Sequence, residues 1–401
     1  MSGAQALILA GGGAFAAYEV GVLKALAGGR SPATGYRPLE AAFFFGTSAG
    51  AFNAAMLAAE AGADLLPSVL ALEHAWLDEI AERPGGGNGV FRWRAEPGRL
   101  FDPAFWTRQK PLRLLSELAE DGSFFARDLA SRAAAFARSS GPLERRAIEL
   151  IDLTALVSTA PFLELLRRIV PFERLRLSPR ALRIAATNWE TGELRIFTNQ
   201  HLGYELGPRI IAASSAIPGL FPPVTVGADT YVDGGLLMNT PLVPAIACGA
   251  TTMHAVYLDP DVSNIPLADL QTTLATLQRG FIIALAAVFN RDIERAAEIN
   301  AGLDALEGRG GAGTADLVRA AGAIALRGDT AAPFARLTIH RYHPLGELGG
   351  PLGVLDFRRR KLEELIERGF AEARNHDCEE SGCVLASRPS SASGDRDGKE
   401  I

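Results

Sequence analysis

An α/β fold, with helices on both faces of a central and mostly parallel sheet, is predicted by three segments of this chain. Each is a short apolar strand that runs into a glycine turn. Ala6-Leu7-Ile8-Leu9-Ala10 meets Gly11-Gly12-Gly13 and then a helical stretch from Ala14 to Ala27. Ala41-Ala42-Phe43-Phe44-Phe45 meets Gly46-Thr47-Ser48-Ala49-Gly50 and a small-residue helix from Ala51 to Glu60. Tyr231-Val232 ends in Asp233-Gly234-Gly235. Strand, tight turn and helix in that order are the units of a three-layer α/β/α domain.

The second segment has the form of a nucleophile elbow. Such a turn swings the chain from a buried strand into a helix so sharply that glycines are needed on either side of the serine, here Gly46 and Gly50, and it leaves the hydroxyl of Ser48 exposed at the helix N-terminus. The pentapeptide alone is also an ordinary turn, and the flanking strand and helix are what favour the elbow. In the first segment, Gly11-Gly12-Gly13 can turn several backbone N–H groups outward together, with the positive end of the following helix adding to their field, as a developing oxyanion requires. A Walker loop is excluded because the lysine and hydroxyl are missing from its register. A dinucleotide fingerprint is weak because position 16 is Ala. Asp233-Gly234-Gly235 places an acid at a strand end, and by itself reads more readily as a hairpin turn. Around it, residues 211–223 and 235–242 are apolar and rich in Pro and Gly, as suits a pocket wall.

With these three motifs in this order, and Gly21 beyond the first, the chain resembles the patatin-like phospholipase family. The resemblance covers roughly residues 5–260 and more loosely the chain to about 375. It implies a Ser–Asp dyad: Ser48 as the nucleophile, Asp233 as its base and Gly11–Gly13 as the oxyanion hole, with Gly46, Gly50, Gly234 and Gly235 as motif glycines. It also implies a phospholipid, lysophospholipid or other fatty-acyl ester as substrate, and no metal or other cofactor. An acyltransferase or thioesterase with the same dyad, and a non-catalytic lipid-binding module, remain as alternatives. One departure stands out. The family commonly carries Arg or Lys two residues after the third glycine and then another glycine, where this chain has Phe15 and Ala16. The backbone donors are unaffected, but a more apolar pocket mouth near Phe15 is expected.

The histidines are consistent with a dyad. A Ser-His-Asp triad needs a histidine placed to follow its acid, and none of His74, His201, His254, His340, His343 and His376 sits in an informative setting. A dyad asks more of Asp233, because an ordinary carboxyl with a pKa near ~3.9 is a poor base at neutral pH. Its site should therefore be desolvated, and Tyr231-Val232 suit that.

Composition bounds the rest. A chain of 401 residues, 48% hydrophobic and 21% charged, is long enough for one large domain, and a net charge of −6 argues against a nucleic-acid partner. Three cysteines make no disulfide framework and fit a reducing, cytoplasmic compartment. Cys378 and Cys383, with His376 nearby, hint only faintly at a metal. The apolar start belongs to the fold rather than to a secretory signal, and Phe281–Phe289 is far shorter than the ~20 residues that span a bilayer, so it reads as a buried helix. Any membrane contact is then peripheral.

The domain is expected to run over 1–375, with a helical insert at about 61–180 and a disordered polar tail at 376–401. Within the insert, Phe91, Trp93, Phe101, Phe105 and Trp106 alternate with Arg92, Arg94, Arg99, Arg108, Lys110 and Arg113. That mixture suits either a lipid interface or, somewhat better, an aromatic packing segment. Residues 351–374 read as a closing helix, with the charge run 358–361 as its solvated face.

Overall fold

A computed structural model of the chain describes residues 4–60, 62, 64–83, 87–94, 121–123, 126, 157–258, 283, 290–304, 335–349 and 353–386. The strands are β1 (Gln5–Leu9), β2 (Phe43–Thr47), β3 (Arg92–Trp93), β4 (Val157–Ser158), β5 (Ala181–Asn188), β6 (Leu194–Thr198), β7 (Val224–Val226), β8 (Asp229–Asp233), β9 (Thr252–Val256) and β10 (Thr338–Tyr342). Eight of them form one sheet in the order β10-β9-β1-β2-β5-β8-β7, with β6 also on β5. The run from β10 to β5 is parallel, whereas β6, β7 and β8 join antiparallel. The sheet is therefore mixed and mostly parallel, as the sequence predicts.

Both faces are covered. Along β1, Leu7 and Leu9 join one apolar cluster while Ala6 and Ile8 join another, which is the period-2 alternation of a strand buried on both sides. The first cluster contains α1 (Ala17–Ala27), α2 (Ala49–Ala58), α3 (Leu66–His74), α4 (Ala160–Ile169), α5 (Phe172–Leu177), α6 (Gly207–Ser214) and a closing helix at Arg359–Arg374. The second lies under α8 (Leu242–Ala247) and the helical residues 290–304, with the short α7 (Gly235–Met238) between. The closing helix, α9, crosses α1 at a glycine contact: a Cβ on Gly21 would run into the Ile366 carbonyl, and one on Gly369 into that of Tyr18. Only residues without side chains allow two backbones so close.

The register of β5 brings the site together. Residues 181–185 pair with β2, 183–187 with β6 and 186–188 with β8. The overlaps put β6 on one edge and both β2 and β8 on the other. Thr47 pairs with Ala185 and Asp233 with Ala186, so β8 takes up the edge of β5 at the point where β2 leaves it.

Among the described parts of the insert, residues 66–80, 121–123, 160–169 and 172–177 are helical, and β3 and β4 pair as a small antiparallel ladder. Phe101, Phe105, Trp106, Arg99, Arg108, Lys110 and Arg113 lie outside the described residues. Of the neighbouring residues, Phe91 is buried against Trp93, Phe221 and Phe357. Arg92 and Arg94 both pair with Asp121 and are buried. These three are packing residues rather than lipid contacts, and only Trp93 is exposed. Most of Phe281–Phe289 also lies outside the described residues. The charges of 358–360 are met locally, Arg358 by Asp356, Arg359 by Asp78 and Glu363, and Arg360 by Glu364.

The tail differs from expectation. Residues 376–386 fold back on β10, where Ile339 and Val384 exchange both backbone hydrogen bonds, at 2.7 and 3.0 Å. Residues 387–401 lie outside the described part. The polar composition of this segment suggested a disordered tail, but the edge of β10 offers it unpaired backbone groups.

Candidate active site

β2 ends at Thr47, and Ser48 follows with φ 55° and ψ −127°. A residue with a side chain rarely adopts this left-handed backbone, and it persists only where the surroundings hold it. They do so here from three directions. The Ser48 N–H donates to Ser214 Oγ (2.9 Å), and that hydroxyl donates to the Ala185 carbonyl (2.6 Å). Thr47 Oγ1 donates to the Met238 carbonyl at 3.0 Å. Gly50 lies so close to β1 that a Cβ there would be 2.5 Å from the carbonyl oxygens of both Leu9 and Ala10.

Asp233 ends β8 beside this turn and is buried. Its N–H donates to the Ala216 carbonyl (2.9 Å), and its carbonyl accepts from Thr187 Oγ1 (3.0 Å). In the carboxyl group, Oδ1 accepts the Gly235 N–H at 2.7 Å, while Oδ2 is buried without a hydrogen bond of normal geometry. Burial pushes the carboxyl up to about 7, against the smaller opposing pull of the Ser48 hydroxyl and the Gly235 amide. The Ser48 hydroxyl thus lies close enough to act on the carboxyl, in a contact looser than a formed hydrogen bond, as resting active sites often show.

The glycine loop packs against Ser48. Ser48 Cβ is 2.7 Å from the point a Cβ on Gly11 would occupy. The N–H of Gly11 is already used, donating to Asn239 Oδ1 at 2.8 Å. Gly13 has φ 56° and lines the same cleft as Ser48. Among the described residues, neither the Gly12 nor the Gly13 N–H has an acceptor.

Ser48 opens on a cleft of about 660 Å³, its open mouth included. The wall is apolar, with Phe52, Trp76, Phe162, Phe221, Val224 and Phe357 among its residues. Trp76 and Ile80 reach it from a π-helical turn, Ala75–Ile80, that continues α3. A π turn re-aims side chains relative to a regular helix, and no apolar spacing in the sequence announces it. None of the six histidines lines the cleft.

The sequence matches the patatin-like phospholipase family over residues 7–246, which contain all three glycine motifs. The chain belongs to that family. A search of curated proteins gave no match. Among solved structures, the chain is similar to VipD from Legionella pneumophila, at 14% identity and a TM-score of 0.33, over 92% of this chain and 67% of that one.

Phe15, which stands where the family commonly has a basic residue, does not line the cleft. It packs against Gly349 and Gly353. Val354, next to Gly353, does line the cleft. The apolar character expected near Phe15 comes from neighbouring residues such as Val354, while the Phe15 ring itself lies against Gly349 and Gly353.

No helix among the described residues is long and apolar enough to cross a membrane.

Proposed function

We propose that the chain is a lipid acyl hydrolase working through a Ser48–Asp233 dyad. The observation that carries this reading is the meeting of β2 and β8 on one edge of β5, which sets a serine in a left-handed turn beside a buried carboxyl held at about 7, at an apolar cleft. Membership of the patatin-like phospholipase family supports a lipid substrate.

In this mechanism Ser48 Oγ attacks the ester carbonyl carbon and its proton passes to Asp233 Oδ2, the oxygen left without a partner. Oδ1 stays fixed on the Gly235 N–H. The N–H groups of Gly12 and Gly13 donate to the oxyanion of the tetrahedral intermediate, and Gly11 serves by close approach, since its own N–H is held by Asn239. The proton on Asp233 goes to the departing alkoxide. Water then attacks the acyl-enzyme with Asp233 again as base, which restores Ser48 and releases the fatty acid. The acyl chain lies along Phe52, Trp76, Phe162 and Phe221, where burial of each methylene contributes about 0.8 kcal/mol.

The test is hydrolysis of p-nitrophenyl esters and phospholipid vesicles by the wild type, Ser48→Ala and Asp233→Asn. Activity in the wild type, and a loss of roughly 10³-fold or more in both folded variants, is the expected result. An inert wild type would leave lipid binding without turnover. Competing alcohols in the same assay distinguish hydrolysis from acyl transfer.

A further inference from the structure

Far from the cleft, at the β10 edge of the sheet, four metal-ligating side chains converge. They are His340 on β10 and His376, Cys378 and Cys383 from the segment that folds back on it, and one donor atom from each lies within 4.8 Å of the other three. Cys378 Sγ is 3.4 Å from His340 Nδ1 and 3.6 Å from His376 Nε2, and Cys383 Sγ is 3.4 Å from His376 Nε2. A tetrahedral zinc ion with Zn–S of about 2.3 Å and Zn–N of about 2.0–2.1 Å separates its sulfur and nitrogen ligands by roughly 3.5 Å. The three distances fit that geometry without movement.

We propose that His340, His376, Cys378 and Cys383 form a structural Cys₂His₂ zinc site that fastens the C-terminal segment to the edge of the sheet. Two nitrogen and two sulfur donors at tetrahedral spacing suit Zn²⁺ over the oxygen-seeking Mg²⁺ and Ca²⁺. All four positions are filled by protein, which is the mark of a structural rather than a catalytic zinc. On binding, the two thiols release their protons to solvent, and two thiolates balance the charge of the ion. The result is electrically neutral and tolerates the partial burial of the site.

The surroundings fit the role. The backbone N–H of Arg341 points at Cys383 Sγ (3.2 Å), and Ser381 Oγ lies 3.4 Å from His376 Nδ1, the nitrogen turned away from the cluster. Such outer contacts orient ligands and stabilise thiolates. The loop between the cysteines is built tightly: Asp377 Oδ1 accepts the N–H groups of Glu379 and Glu380, Cys383 N–H donates to the Cys378 carbonyl, and Gly382 turns with φ 62°. Next in the chain, Val384 pairs with Ile339. The metal would therefore hold the segment just after α9 onto β10. A Cys378–Cys383 disulfide would leave the convergence of two histidines unexplained.

The experiment uses the full chain, kept reduced and dialysed without chelator. Mass spectrometry of the metal content should find about one zinc per chain in the wild type and in Cys248→Ser, and essentially none in Cys378→Ser/Cys383→Ser. Because the double variant could unfold, two measurements use the wild type alone. Stripped protein refilled with Co²⁺ should show thiolate charge transfer and the intense visible bands of a tetrahedral site. Alkylation by iodoacetamide should mark Cys248 alone in the zinc-loaded protein and all three cysteines after chelation, with a fall in Tm of roughly 5–10 °C. Reduced wild type without stoichiometric zinc, a six-coordinate cobalt spectrum, zinc retained by the double variant, or a Cys378–Cys383 disulfide in freshly isolated protein would each overturn the proposal.

Discussion

Asn239 holds Gly11 by both halves of its peptide environment: Oδ1 accepts the Gly11 N–H at 2.8 Å and Nδ2 donates to the Gly11 carbonyl at 3.3 Å. One side chain thereby joins the glycine loop to the segment that carries Asp233, across 228 positions of sequence. Two residues on, Gly13 lines the cleft.

In the proposed mechanism Asn239 is a positioning residue. Asn239→Ala should lower kcat by roughly 10–100-fold with little change in KM, because the donors for the oxyanion lose their orientation while the acyl pocket is untouched. Asn239→Asp adds a different effect. Asp233 Oδ1 and Asn239 Oδ1 lie 3.0 and 3.1 Å from the point a Cβ on Gly235 would take, so a second carboxylate there would repel the first. The pH midpoint of kcat/KM should move upward in that variant and stay in place in Asn239→Ala, and equal midpoints would refute the role assigned to Asp233.

If the proposed dyad holds, Asp233 fixes the pH dependence. The base must be ionised, and burial holds it at about 7. Activity should therefore rise through pH 7 with the slope of one proton and level off above it. Stability runs the other way. The folded value lies above the ordinary carboxyl value of 3.8, so the folded state holds this proton more tightly than the unfolded chain does. The contribution is full below about pH 3.8 and is lost as pH rises toward 7. Asp233→Asn should be inactive, yet more resistant to urea than the wild type above pH 7, with the difference shrinking at lower pH.

How much of this was legible follows from how local each cause is. Ser48, Gly46 and Gly50 announce themselves because an elbow constrains five consecutive residues. Asp233 reads as a turn on its own, and its place beside Ser48 depends on the register of β5, which no short window contains. The commitment of Gly11 to Asn239 was invisible for the same reason. Phe91 was readable as apolar but not as buried beside Phe357, 266 positions later. The cluster at His340 shows the limit most clearly: Cys378 and Cys383 stand near His376 in sequence, but the fourth ligand lies 38 residues away on a strand and carried no signal.

The elbow can be tested through its closest contact. Gly50→Ala would press a methyl group against the carbonyl oxygens of Leu9 and Ala10, which belong to the rigid centre of the sheet. The expected cost is about 1–3 kcal/mol of stability, with activity lost beyond that share as Ser48 shifts. Gly203→Ala is the control, since a Cβ there meets nothing within 4 Å. Equal denaturation midpoints for the two variants would show that the elbow is not so constrained.

Behind the cleft, Glu19 is fully buried in α1 and supports the wall through Asn53. Asn53 Nδ2 donates to Glu19 Oε2 at 2.8 Å and to the Ala16 carbonyl at 3.2 Å, while Asn53 Oδ1 accepts Trp76 Nε1–H at 2.8 Å. Burial raises the Glu19 carboxyl well above its ordinary value, against the smaller pull of the Asn53 hydrogen bond. A raised acid contributes fully at low pH and loses its contribution as pH rises, so Glu19→Gln, which keeps the acceptor and has no charge to bury, should match the wild type in mild acid and exceed its stability in alkaline urea titrations. Glu19→Ala leaves Asn53 without that acceptor and opens a cavity, at about 2–4 kcal/mol. Since Trp76 lines the cleft and stacks on Phe357 at 6.5 Å, its loosening should raise KM for long-chain esters more than for short ones. A chain-length profile of Glu19→Ala parallel to that of the wild type would mean that the network supports the fold without shaping the pocket.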